Sequence, residues 1–272
     1  MLVDLYNTIL YEPIFNLLVR LYNIVPGHDI GLAIIALTII IKLILHPLSV
    51  KSIKGQKALQ DLQPKMEEIK KKYKNNQQEM TKKTMALYKE EKISPFSSCL
   101  PLLIQFPFLI AVYQVFRKGL TNNQSLEILY SFVQNPGTIN PISFGLFDLS
   151  KANFVLAILA GAAQFWVSKM LISKKSRGLG IPGAKDEAMT SIMNKQMMYF
   201  MPLITVFIGL SLPSGLTLYW FITTILTGVQ QIYIFKKQNK DKDTQEVKIN
   251  ENTSVIKQSD IKEISKDNED IK

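Results

Sequence analysis

Five stretches of the chain are apolar over lengths that suit a helix crossing a bilayer, which takes roughly 18 residues or more. They run approximately Ile30–Leu48, Phe96–Phe116, Ala152–Ile172, Met197–Leu212 and Gly215–Phe235. The second and fifth carry no charge; the first is interrupted by Lys42 and His46, and the third by Lys169 near its end. The fourth is short and is expected to start a turn or so earlier. Only Pro213-Ser214-Gly215 separates it from the fifth, which predicts a tight turn between antiparallel helices. Lipid cannot satisfy backbone hydrogen bonds, so every span is expected to be helical, prolines 101, 107 and 202 included.

Two further patterns lie outside these runs. In Leu2–Val25 the polar residues Asp4, Thr8, Glu12, Asn16 and Arg20 recur every fourth position among Leu, Ile, Tyr and Phe. That predicts an amphipathic helix lying in the outer interface, with a first transmembrane span as the alternative reading. In Lys51–Lys92, residues Leu59, Leu62, Met66, Ile69 and Tyr73 follow the alternating three-four spacing of a coiled-coil seam. The pattern continues weakly through Met80, Thr84 and Leu87 after a break at Lys74-Asn75-Asn76, which predicts a helical hairpin. The tail from about Gln238 has few apolar residues and mixed charge, the signature of disorder.

Charge adds an orientation. Lys51–Lys92 holds twelve Lys against six acids, and Lys169–Lys195 holds six Lys/Arg against two acids. Met1–Asp29 has one Arg, and Arg117–Lys151 keeps its three basic residues at its edges. The positive-inside rule then gives one answer for all five spans: N-terminus outside, C-terminus inside. The chain reads as an all-α polytopic membrane protein. Residues 1–29 form an external or interfacial helix, and 30–235 a five-helix core with a cytoplasmic hairpin over 50–94 and an external loop over 117–151. Residues 236–272 form a cytoplasmic tail. No signal peptide is expected, since the N-terminus lacks a basic start and a small-residue cleavage site.

Composition narrows the chemistry. The chain has 272 residues, 47% hydrophobic and 20% charged, with a net charge of +10. One cysteine, Cys99, excludes an internal disulfide, and two histidines make a His/Cys metal site a poor reading. Cys99 reads as a small packing residue and His46 as an interfacial one. There is no phosphate-binding loop, no nucleophile motif with a matching base, and no acidic residue inside a span. These absences argue against an enzyme, a pump and a proton-coupled carrier, and no cofactor is expected. The hairpin's net charge of +6 suits anionic headgroups, acidic protein segments or ribosomal RNA, or simply a solvated face beside a negative membrane. The near-neutral tail supports no specific nucleic-acid partner.

The polar residues within the spans carry the functional signal. Thr38, Lys42, His46 and Ser49 share one face of the first span, and Trp220, Thr223, Thr224, Thr227 and Gln231 one face of the fifth. The second adds Gln105 and Tyr113, the third Gln164 and Ser168. Such residues can act as packing glue between helices. Alternatively, they converge on a water-filled cavity holding the charge of Lys42. Lys42 itself admits two readings, a functional charge or a side chain snorkelling to the cytoplasmic interface.

Three segments resemble the YidC/Oxa/Alb membrane insertase family. They are Ser94-Pro95-Phe96-Ser97-Ser98-Cys99-Leu100-Pro101-Leu102-Leu103-Ile104-Gln105-Phe106-Pro107, Gly145-Leu146-Phe147-Asp148-Leu149-Ser150, and Phe200-Met201-Pro202 followed by Leu212-Pro213-Ser214-Gly215-Leu216-Thr217-Leu218-Tyr219-Trp220. The resemblance covers about Asp29–Lys237, in the compact form without a large external domain. It implies a five-helix core whose hydrophilic groove opens to cytoplasm and lipid and is closed outside. Lys42 falls where the family usually has an arginine, so the implied contact is electrostatic attraction without a guanidinium fork. The resemblance implies groove lining by Thr38 and Trp220, to which the polar stripes add Gln105, Gln164 and Thr224; it implies substrate-helix contacts at Phe106 and Pro107, and Tyr219 is expected to join them. The implied activity is insertion and folding of nascent membrane proteins in the bacterial cytoplasmic membrane, with the ribosome and a Sec translocon as further partners. A small-solute channel or carrier, or a scaffold docking partners by its basic hairpin, are the competing functions.

Overall fold

A computed structural model describes residues 2–94, 100–119, 123–171 and 196–239. Cys99, the basic segment after span three and the tail beyond 239 lie outside the described residues. The described chain is mostly helical. Helix α1 (Leu2–Tyr6) passes through a π-helical turn (Asn7–Tyr11) into α2 (Glu12–Ile24). Then follow α3 (Ile30–Ile44), α4 (His46–Lys72), α5 (Gln77–Glu90) and α6 (Leu100–Gly119). A two-stranded antiparallel hairpin, β1 (Ile142–Ser143) and β2 (Phe147–Asp148), precedes α7 (Phe154–Leu171). A π-helical turn (Gln196–Phe200) leads into α8 (Met201–Ser211), and α9 (Ser214–Asn239) completes the described chain. The chain divides into two units, Met1–Val229 and Gln230–Lys272; of the second, residues 230–239 are described and are helical.

By length and composition, α9 alone is long and apolar enough to cross a bilayer, among the described residues. The α3–α4 pair passes the same test together but is bent by 70° at its break, and Phe154–Met170 and Met198–Ser211 are shorter apolar helices. The expected first span, Ile30–Leu48, therefore ends early. Its helix stops at Ile44, and α4 starts at His46 with Pro47 in its first turn. Proline suits a helix start, whereas inside a continuing helix Pro47 would lack the N–H for the carbonyl four residues earlier and clash with it. The described parts of the other runs are largely helical.

The core of the first unit is drawn from α2, α3, α6 and α9. Phe15, Leu18 and Val19 meet Ile34 and Leu37, Val112, Val115 and Phe116, and Leu216 and Tyr219. Asn16, on the predicted polar stripe of the N-terminal helix, is buried, because the loop after α6 supplies hydrogen-bond partners on that side. Helices α7 and α8 pack tightly: a Cβ on Gly161 would stand 2.3 Å from Val206 Cγ2, and one on Gly209 3.1 Å from Ala157 Cβ.

The charged insert forms two helices joined at residues 73–76, where the break was expected. Leu62 and Leu87 are buried, Tyr88 Oη donates to Met66 Sδ at 3.3 Å, and Lys65 pairs with Glu91. Gln60 Nε2 donates to Met170 O at 3.5 Å, which ties the insert to the end of α7.

Candidate functional site

A polar seam runs along one face of α9. Tyr219, Thr223 and Thr227 stand at successive four-residue steps, each about 6 Å along the axis. Gln105 Nε2 of α6 donates to Tyr219 Oη at one end. At the other, Lys42 Nζ of α3 donates to Thr227 Oγ1 at 2.6 Å. The Thr227 hydroxyl proton goes to Thr223 O at 2.7 Å, so its oxygen offers lone pairs to the ammonium. Among the described residues Lys42 has no carboxylate partner; its charge rests on a neutral hydroxyl. One turn earlier, Thr38 is fully buried and donates to Ile34 O at 2.6 Å, which leaves its oxygen as an acceptor.

The remaining predicted residues take distinct places. Thr224 is buried beside this face of α9, while Trp220 and Gln164 are half-buried. Phe106 is 55% exposed and Pro107 half-buried on α6, so this part of α6 presents an apolar surface. Tyr219 is 1% exposed and sits beneath that surface as the partner of Gln105. Thr227 was part of the sequence stripe, but no sequence signal joined it to Lys42, 185 positions away.

The opposite end of the helices is closed by hydrogen bonds that sequence reading missed. Asp29 caps α3, accepting from Gly31 N at 2.7 Å and Leu32 N at 3.1 Å. The same carboxylate accepts from Ser143 Oγ at 2.6 Å and Phe144 N at 2.5 Å in the β-hairpin. Burial pushes its carboxyl pKa up, but these four hydrogen bonds outweigh it and hold the group below its ordinary value. Gly31 is needed there, since a Cβ would stand 1.9 Å from Ser143 Oγ. Backbone bonds then reach α9: Ser214 N donates to Lys151 O at 2.8 Å and Gly215 N to Leu149 O at 3.0 Å. From α2, Asn16 bonds Ile128 O and Tyr130 N, and Asn23 bonds Gln134 O. The starts of α3, α7 and α9 thus lie together under one loop.

These features, a polar seam between apolar helices with one end stitched shut, can be set beside known proteins. A model of the 60Kd inner membrane protein family matches residues 21–242. The chain belongs to that family, the YidC/Oxa/Alb insertases. A Clostridium tetani protein named membrane protein insertase YidC is 38% identical over 217 residues, covering 79% of this chain and 86% of that one. One of the same name from Fusobacterium nucleatum is 35% identical over 209 residues, 77% of this chain and 87% of its own. The Tolumonas auensis protein of that name is 33% identical over 231 residues, and the chain spans 36% of its length. Family membership makes the chain an integral inner-membrane protein of a group of insertases and chaperones.

Proposed function

We propose that this membrane protein insertase crosses the bilayer five times, N-terminus outside and C-terminus inside, and passes substrate helices to lipid along the α3–α6–α9 seam. The observation that carries this reading is that the charge of Lys42 rests on the Thr227 hydroxyl, with no carboxylate partner among the described residues. An ammonium held by a hydroxyl can exchange that bond for a substrate carboxylate at little cost, because the carboxylate is the stronger partner. A short polar segment of a nascent membrane protein enters the seam, where Lys42, Thr38 and Thr227 and the water around them lower its desolvation cost. Its acidic residues are drawn to Lys42. Its apolar helix slides along Phe106 and Pro107 into lipid. Gln105, Gln164, Trp220 and Thr224 line the polar side, and Tyr219 acts from beneath by holding Gln105.

Moving about 20 apolar residues from water to hydrocarbon favours the product, so this chain needs no bond-making chemistry of its own. The basic α4–α5 hairpin, placed in the cytoplasm, meets the substrate first. The ribosome and a Sec translocon act upstream of that encounter.

The test is reconstitution into sealed liposomes with a single-span substrate bearing an acidic external segment, read by protease protection. Insertion by the intact protein and by Lys42→Arg, with loss in Lys42→Ala, is the expected pattern. Equal insertion by all three would remove Lys42 from the mechanism. No insertion by any of them would favour a scaffold or carrier.

A further inference from the structure

The β-hairpin that covers the helix starts leaves its own tip bare. Ile142, Phe144 and Leu146 are 48%, 50% and 79% exposed, while Ser143 between them is buried against Asp29. No charged residue occurs from Ile128 to Phe147. Phe144 has φ 51°, a left-handed conformation that a bulky side chain rarely adopts, and Gly145 follows at φ 67°. Asp29 holds Phe144 there through its backbone N–H. A strained, exposed aromatic kept in place by a half-buried carboxylate points to a use for its position.

The position is fixed by the helices. The hairpin rests on the first turn of α3 at Gly31, is bonded through Leu149 to the start of α9, and runs within a few residues into α7. The first residues of α7, Phe154 and Val155, are themselves 67% and 52% exposed, and exposed apolar positions continue down that helix at Ile158 and Leu159. The apolar hairpin tip therefore lies at the level where the lipid-facing surface begins. We propose that Ile142, Phe144 and Leu146 dip into the outer leaflet, making the hairpin an interfacial lipid anchor at the closed end of the seam. Apolar side chains at a membrane boundary are buried among headgroups and upper acyl chains instead of being left in water. The occupant is the lipid of the bilayer the chain already spans. The inference rests on the external placement of the loop proposed above.

The experiment uses the full chain with Cys99→Ser as background, in nanodiscs and in sealed cells. Leu146→Cys carries an environment-sensitive fluorophore, and Thr138→Cys, exposed elsewhere in the same loop, is the reference. The expected result is a blue-shifted Leu146 probe that loses emission to nitroxides high on the acyl chain and not to aqueous iodide, with the reverse at Thr138. Quenching by iodide alone would overturn the anchor. So would a Leu146 probe shielded from both quenchers, which would mean that protein, such as a second copy, covers the tip. An impermeant maleimide added outside intact cells reads the loop's side separately. If it fails to modify Thr138→Cys, the external placement falls, whereas the lipid quenching still decides whether the hairpin enters a leaflet. Leu146 is largely exposed, so its replacement leaves thermal unfolding in detergent unchanged, which excludes a folding defect as the cause of any result.

Discussion

Two side chains, Asp29 and Lys42, place charges at the two ends of α3, and their surroundings differ. Among the described residues Lys42 donates to one neutral acceptor. Thr227→Val removes that acceptor but keeps the charge. It is expected to cost about 1.5 kcal/mol of stability, the scale of a hydrogen bond to a charged group, while insertion of acidic substrates persists. Thermal unfolding and protease protection, run on the same preparation, separate the two effects. Asp29, by contrast, accepts four hydrogen bonds and touches nothing in the seam. Asp29→Ala should cost about 1–2 kcal/mol, as for a lost helix cap. Its pH dependence has a definite sign. The folded carboxyl titrates below its ordinary 3.8, so its stabilisation is complete above that value and is lost as pH falls through the lowered one. The midpoint of unfolding should drop on acidification below about pH 4 in the wild type, and this component should be absent in Asp29→Asn. An unchanged acid limb in the Asn variant would show that other carboxylates set it. Lys42 was legible in the sequence because a charge in an apolar run is conspicuous. Asp29 was not singled out, although an Asp directly before an apolar run is a helix-start signal. Its hairpin partners lie more than a hundred residues away, and no local pattern announces them.

At the scale of elements, the apolar runs marked most helices, but spacing alone could not say where they bend or touch. The run Ile30–Leu48 looks continuous because apolar residues persist on both sides of Leu45; the local signal for its break is Pro47, which the apolar pattern does not weigh. In the N-terminal helix the four-residue spacing suggested a wet stripe, yet Asn16 is inside, because a buried amide is tolerated once a loop supplies partners. The coiled-coil pattern marked the α4–α5 turn well, since 3,4 spacing and a polar break are both local signals. Close contacts were the least legible. Gly161 gives no sign in sequence of the Val206 side chain it faces. Gly161→Ala is expected to destabilise by about 1–3 kcal/mol through overpacking, and the double variant with Val206→Ala should recover most of the loss. Additive losses in the double variant, measured by thermal unfolding in detergent, would count against direct packing of α7 on α8.

The whole molecule is electrically lopsided: the insert Lys51–Lys92 is strongly basic, and the loop over the helix starts is nearly uncharged. Attraction between exposed charges is screened over about 10 Å at 0.1 M salt and about 3 Å at 1 M. If the hairpin captures substrates by charge, insertion of acidic substrates should slow with added salt, and Lys70, Lys71 and Lys72 together changed to Gln should flatten that dependence. A salt response identical in the triple variant would place the capture step elsewhere. A charge distribution of this kind is readable from sequence because it depends on counting charges along the chain. Which helix ends are stitched together is not, because it depends on backbone bonds such as Ser214 N to Lys151 O.

Those backbone bonds have a mechanical consequence. They hold the start of α9 through atoms common to every residue, while the start of α3 is held to the same loop by the Asp29 carboxylate. A rod pinned at one end acts as a lever. Helix α3, with 15 residues, is about 22 Å long. Pivoting by about 10° at its capped end would carry its far end about 4 Å sideways, nearly the width of one side chain, on the geometry of a straight helix. Lys42 rides close to that far end, so a small rotation at a rigid fulcrum becomes a wide stroke at the charge.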